Sequence, residues 1–353
     1  MKKILGLFLF SFFLINLFLL YGFNNSIQAS ALRPGNSAKI AAKVYTCGYY
    51  HDNGRTIPCY WVGTTRFDLP IGGENKGYAK SIYVSGETIY TAGQYKTETG
   101  WIACYWINNV KIDLPGEGAC AESIFVSGST VYTAGYYNQK PCYWVNTSRV
   151  DLPVKPRYGY ATSIRYFDGK VFTAGYYYNG AKNVPCFWVD TYKTDLPGGL
   201  NDARADSIFI SDGSVYIAGS YHDGTKYIPC YWRNLSRQSL SGDGLHNAFA
   251  QSIYVSNSKV YIAGTYEDGA NINACYWVGS SRINLPGGLH YTFADSIFVF
   301  ENTVYTAGHY EHNGSISCYW VGTSRTDLDL RNAIATSIFV HPVLLIIPPG
   351  PLH

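Results

Sequence analysis

The sequence predicts an all-β fold in which seven four-stranded antiparallel sheets close into a ring, and three observations carry that prediction. A unit recurs seven times along the 353 residues: Gly48, Gly93, Gly135, Gly175, Gly219, Gly264 and Gly308 each end a Val/Ile-Tyr/Phe-Thr/Ile-Ala/Cys-Gly string. Cys59, Cys104, Cys142, Cys186, Cys230, Cys275 and Cys318 follow in step, each before an aromatic residue and a Trp, at spacings of 45, 38, 44, 44, 45 and 43. A unit of that length cannot bury both faces of its sheet alone and needs neighbours. Composition agrees, because 33 Tyr, 36 Gly and only 14% charged residues suit short strands and tight turns better than surface helices. The ends are complementary as well. The first unit starts at its second strand, Lys43 to Tyr50, and the chain finishes on an extra first strand, Ala335 to Val340. Pairing the two completes a seventh sheet and leaves no edge open, which is the architecture of a seven-bladed β-propeller closed by its N- and C-terminal strands.

The elements follow in order. Residues 1–31 read as a signal peptide: Lys2 and Lys3, an apolar run from Ile4 to Phe23, then Ala29-Ser30-Ala31 as a small-residue cleavage site. The run also approaches the length that spans a bilayer, so an uncleaved N-terminal anchor is the second reading. Either reading places the repeats outside the cytoplasm, whether secreted, periplasmic or at the cell surface. Residues 32–42 form a short linker, 43–340 the seven repeats and 341–353 an atypical tail.

Within the third unit the strand-like runs are Ala121 to Val126, Thr130 to Tyr137, Pro141 to Val145 and Arg149 to Leu152. Asn53-Gly54, Asn179-Gly180, Asp223-Gly224, Asp268-Gly269 and Asn313-Gly314 stand between second and third runs, where hairpins need positive φ. No second carboxylate repeats beside them, so turn chemistry is expected and no metal. After Val340 the repeat pattern stops, and two readings stand: a native apolar tail, or a frameshift, since the codons for His341 to Gly350 permit the repeat string when read out of phase.

Nine cysteines in an exported chain ordinarily suggest disulfides. Here seven occupy one repeat position, and equivalent positions of neighbouring units lie too far apart to bridge, so they read as small buried hydrophobes. Cys47, on the strand before Cys59, leaves a bridge inside the first unit as an open reading.

The layout Ala-x-Ser-Ile-x-Val, turn, Val-Tyr-Thr-Ala-Gly, hairpin, Cys-Tyr-Trp, Asp-Leu-Pro resembles a family of uncharacterised exported bacterial β-propeller repeat proteins across residues 43–340. More distantly it resembles the kelch repeat, which carries Gly-Gly where Ala-Gly stands here. The resemblance implies the strand order of propeller blades and brings no catalytic residues with it.

Residues that recur from unit to unit, such as the Trp series and Asp68, Asp113, Asp151, Asp195 and Asp327, with Ser239 and Asn284 in the other two units, are expected to serve the sheet itself. Function is expected where copies differ. Connections between first and second strands, and between third and fourth, are short and uniform; the other two vary and share one rim, the expected binding face. Ligand-binding candidates there are Tyr78, Trp101, Tyr158, Tyr160, Arg204, His246, His290 and Tyr291. Around the channel rim the polar candidates are Lys80, Glu122, Asp206, Gln251 and Asp295. Aromatic faces beside Asp, His and Arg suit a glycan, or a peptide anchored by Tyr and Trp.

The expected function is therefore a non-enzymatic, monomeric binding or scaffold module for protein or glycan, without cofactor or metal. A net charge of +3 without a Lys/Arg block argues against nucleic acid. Membrane contact is expected only through an uncleaved N-terminal segment. The alternative is a carbohydrate-active enzyme using two of Glu122, Asp206 and Asp295, because glycosidases work with paired carboxylates. No His-Glu-x-x-His, Gly-x-Ser-x-Gly or Gly-x-x-x-x-Gly-Lys string supports other catalysis.

Overall fold

A computed structural model describes residues 37–155, 158–242, 244–288 and 290–347. It divides into two compact units, Met1–Ala42 with Pro342–His353, and Lys43–His341. In the first, the described residues are the beginning of the strand Ser37–Asp52 and the end of the strand Ala333–Ile347. The stretch expected as a linker is thus strand from Ser37, and the tail continues as strand to Ile347. Neither Ser37 to Ala42 nor Val343 to Ile347 contains a Gly or Pro to stop an extended chain. Residues 1–31, read as a signal peptide, lie outside the described residues.

The second unit is all-β, built of repeated four-stranded antiparallel sheets in a β-propeller-like fold, with no helix among the described residues. Five sheets stand separately; the one of Ala119–Ser127, Thr130–Tyr137, Lys140–Val145 and Ser148–Asp151 is typical. The other eight strands form one mixed sheet instead of the two expected. In it Ala333–Ile347, Ser37–Asp52, Arg55–Val62 and Thr65–Asp68 adjoin Lys76–Ser85, Thr88–Lys96, Trp101–Ile107 and Val110–Glu117 through a single parallel bridge, Thr56 to Lys76. Beyond the end of the fourth strand's pairing, which covers Cys59 to Val62, the amide of Thr56 donates to Asn75 O (2.8 Å).

Six of the first strands carry a β-bulge two residues before their Ile, for example between Ala121 and Ser123. The bulge frees the Ser hydroxyl to reach the neighbouring first strand. Ser81 Oγ accepts from the Ile124 amide, Ser123 from Ile164, Ser163 from Ile208, Ser207 from Ile253, Ser252 from Ile297, Ser296 from Ile338 and Ser337 from Ile82, all at 3.1–3.3 Å.

The Asp-Leu-Pro and Trp strings join one unit to the next. The Asp accepts from a Tyr hydroxyl, as in Tyr177 to Asp195 (3.0 Å), while Lys193 covers that ring. The Leu is buried, and the Pro carbonyl accepts from the following unit's Trp, as in Trp106 Nε1 to Pro70 O (2.8 Å) and Trp320 Nε1 to Pro286 O (2.8 Å). Two Trp lack this bond, Trp61 and Trp144. The unit before Trp144 has a fourth strand of eight residues, Val110–Glu117, where four is usual, and Trp144 Nε1 finds no acceptor among the described residues. Trp106→Phe should therefore cost about 1 kcal/mol more than Trp144→Phe in urea unfolding, the margin being one hydrogen bond. Equal costs would show that the bond contributes nothing.

Two expectations about local chemistry are refined. Asn53-Gly54 have positive φ at both residues, as their two-residue hairpin requires, and Asn313-Gly314 do so within the three-residue connection between Glu311 and Ser315. At Asn179, Asp223 and Asp268 only the following Gly has positive φ, and the side chain instead accepts amide bonds from residues two and three ahead. Cys47 and Cys59 do not bridge: Cys59 stands opposite Gly48 and Cys47 opposite Tyr60, and all nine thiols are free and buried. Burial pushes Cys47 up to about 12 and the repeat cysteines upward as well. A thiolate-seeking reagent is expected to label none of the nine in native protein and all nine in denaturant; labelling of native protein would contradict the packing.

Candidate functional site

Because the bulge interrupts the alternation of side chains, its extra residue projects away from the sheet faces. In six first strands that residue lines one cavity, and Thr336 at the same repeat position joins it: Lys80, Glu122, Thr162, Asp206, Gln251, Asp295 and Thr336. The cavity holds about 730 Å³, within the range of small-molecule and side-chain pockets. Its wall is completed by Arg204, Phe249 and Ile334 from the residues just before the bulge, by Tyr49, Ser220 and His309, each directly after the repeat Gly, and by Tyr227.

The five polar candidates of the sequence are therefore brought together, with different partners. Lys80 Nζ lies 3.6 Å from Glu122 Oε2, and the Cys120 thiol donates to Glu122 Oε1 (3.1 Å). Burial opposes the Lys80 charge, yet Glu122, helped by Cys120 and Tyr49, outweighs it and raises the ammonium above its ordinary range. Asp295 Oδ2 is 3.3 Å from His309 Nδ1, and His309 stacks on Phe293 at 4.5 Å. Asp206 has no hydrogen bond or ion pair among the described residues. Burial pushes its carboxyl up to about 7, against the opposing influence of Arg204.

The aromatic candidates form a second layer. Tyr78 packs edge-on against the cavity residue Tyr49 (4.7 Å) and tilts against Trp101 (5.6 Å). Tyr160 sits between Tyr136 (5.0 Å) and Tyr176 (5.3 Å), and the Arg204 guanidinium lies 5.1 Å over Tyr176. Tyr158 and Tyr291 are 53% and 45% exposed, outside the cavity wall. His246 lies against the hairpin at Gly269, and His290 Nδ1 is 3.3 Å from Asn271 Oδ1 of the same hairpin. Of the eight ligand candidates, then, Arg204 alone lines the cavity, Tyr78 stands one ring behind it against Tyr49, Tyr160 is joined to the wall through Tyr176 and Arg204, and the remainder lie further out. Sequence reasoning missed Thr162 and Thr336, whose hydroxyls donate to carbonyls of two strands each, Ala174 and Ala205 in one case, Cys47 and Ala79 in the other. Their position after Ala161 and Ala335 in the repeat was the signal.

Three residues beyond the bulge residue, the first strands present a further girdle. Tyr83 and Phe125 approach to 5.1 Å, Phe209 and Tyr254 to 4.6 Å, Tyr254 and Phe298 to 4.7 Å, Phe298 and Phe339 to 5.0 Å, and Phe339 and Tyr83 to 4.9 Å. The seventh member is Arg165, whose guanidinium lies 5.8 Å from the Phe125 ring centroid and 5.9 Å from that of Phe209.

No family model matches the chain, and no curated protein matches it. Among solved structures it is similar to TolB from Acinetobacter baumannii, at 12% identity over 83% of each chain with a TM-score of 0.49. Neither figure supports an inference about what the chain does.

Proposed function

We propose that this chain is a seven-bladed, closed β-propeller, exported from the cytoplasm, that works as a non-enzymatic binding or scaffold module for a protein or glycan. Closure is supported by the serine–isoleucine bonds, whose succession runs from Ser81 through seven first strands and returns through Ser337 to Ile82. Export is supported by the charged, apolar and small-residue pattern of residues 1–31. One observation carries the binding reading: seven equivalent repeat positions converge on one cavity, yet bear Lys, Glu, Thr, Asp, Gln, Asp and Thr. A scaffold that repeats its packing residues and varies the side chains around a cavity has the form of a recognition site. The aromatic pairs behind the wall widen that site toward the variable loops.

A glycan array and a peptide pull-down with the mature ring test this reading, repeated with Trp101→Ala, Tyr158→Ala and Tyr160→Ala. Loss of a captured ligand in any of the three supports the face, and unchanged capture in all three refutes it.

A second reading, a carbohydrate-active enzyme, draws on the carboxyl of Asp206, pushed up to about 7 by burial, sharing one cavity with the carboxyls of Glu122 and Asp295, since a carboxyl that keeps its proton near neutral pH can serve as a general acid beside a second one. Glycan turnover abolished by Asp206→Asn would favour it. Turnover that persists in that variant would remove it.

A further inference from the structure

Arg165 breaks the girdle that six aromatic side chains otherwise form. The repeat's own choice at this position is Phe or Tyr, which bury well and meet edge to face. A guanidinium there is costly, because removing a cation from water is offset only by a counter-charge or by full hydrogen bonding. Arg165 has neither: it donates once, Nη1 to Ile164 O (2.7 Å), and no carboxylate pairs with it among the described residues. The two flanking phenyl groups attract a cation weakly at nearly 6 Å and leave its remaining N–H donors unengaged by any described residue.

The other polar members of the girdle are Tyr83 and Tyr254, whose phenol groups can donate hydrogen bonds. All seven side chains keep part of their surface accessible, so the girdle borders open space. A guanidinium and phenolic hydroxyls on separate strands form a set rich in donors and without a carboxylate, which is the chemistry that holds an oxyanion.

We propose that the girdle is an oxyanion site, in which Arg165, assisted by the Tyr83 hydroxyl, binds a carboxylate or phosphate group. The site is distinct from the loop-bearing mouth and does not depend on the ligand proposed there. Only the Arg fork offers two parallel N–H donors to a planar or tetrahedral anion, so binding should be lost when the fork is removed.

The test is thermal unfolding of the full chain in sodium phosphate, sodium acetate and sodium chloride at matched ionic strength, for the unaltered protein and Arg165→Gln. The expected result is a saturable rise in midpoint of roughly 3 °C or more over chloride, in phosphate, acetate or both, that is absent from Arg165→Gln. A rise with acetate alone assigns the site to carboxylates, and one with phosphate alone to phosphates. Equal rises in the two proteins would be general salting-out and would overturn the proposal, as would no rise in the unaltered protein. Tyr83→Phe keeps the ring and its packing and should weaken the response about tenfold by removing one donor to a charged group. An undiminished response in Tyr83→Phe, should Arg165→Gln fail to fold, also overturns it.

Discussion

Gly175→Ala is expected to destabilise the fold by at least about 3 kcal/mol, enough to abolish its cooperative near-ultraviolet circular dichroism transition or move it far down in urea. A Cβ on Gly175 would stand 2.0 Å from Tyr160 O and 3.1 Å from Ala161 Cα. The same holds at Gly48, Gly93, Gly135, Gly219, Gly264 and Gly308, where a backbone carbonyl lies 1.8–2.0 Å from the added carbon. None of the seven has positive φ, so the requirement is space and not handedness. The carbonyl sits there because the bulge at Ala161 folds the first strand over the second, and a main-chain oxygen held by ladder bonds on both sides cannot yield. Gly180→Ala makes the comparison: its φ is +102° with nothing within 4 Å, and the cost there is conformational strain of about 1 kcal/mol. A Gly175→Ala protein within 1 kcal/mol of the unaltered one would refute the account. The consequence reaches function, since the bulge that demands the glycine also turns Thr162 and its counterparts toward the cavity.

Stability should fall as pH rises from about 4 to about 7, and Asp206→Asn should remove that part of the fall. In the unfolded chain a carboxyl loses its proton near 3.9, whereas in the fold burial holds Asp206 at about 7. Between those values the unfolded state binds fewer protons than the folded state, so the slope of stability against pH is negative. The stabilisation is fully present below the lower value and gone above the upper one. For this one group the span is on the order of 4 kcal/mol. Exposed carboxylates act in the opposite sense. Asp223 and Asp268 are held well below the ordinary range, chiefly by the amides of Lys226 and Asn271, and lose their contribution as pH falls through the lower value. The informative quantity is therefore the difference between the unaltered protein and Asp206→Asn, measured by urea unfolding at pH 4.5, 6 and 8. That difference should grow in favour of the variant with pH, and a constant difference would show that Asp206 ionises normally. In the binding reading, a ligand group carrying positive charge against Asp206 would reverse the trend by stabilising the carboxylate.

Much of the site was legible because a repeat makes position readable. Lys80, Glu122, Asp206, Gln251 and Asp295 stand out as polar variants after an invariant Ala, and all five line the cavity. Thr162 and Thr336 occupy the same column yet look like ordinary strand residues, and their part appears only when seven strands face one another. The outer candidates failed differently. His246 and His290 lie in loops entering the first strands, Tyr158 begins a strand and Tyr291 stands beside the start of one, and no periodicity records where such positions lie relative to the cavity. Arg165 was visible as a lone charge among Tyr83, Phe125, Phe209, Tyr254, Phe298 and Phe339. Its isolation from any carboxylate was not visible, because that is a property of neighbours from other units.

The sequence by itself determined the repeated strand pattern, the hairpin residues and which column of residues varies, since strand alternation and turn stereochemistry are local and recur every 44 residues or so. Tertiary structure alone decided that Ser81 and its counterparts tie first strand to first strand, that two sheets merge at Thr56 and Lys76, and that among the described residues Asp206 has no hydrogen-bonded partner while Asp295 has His309. These depend on distances between residues some 40 positions or more apart in most cases, or on desolvation by several strands at once, and neither is written in any single unit.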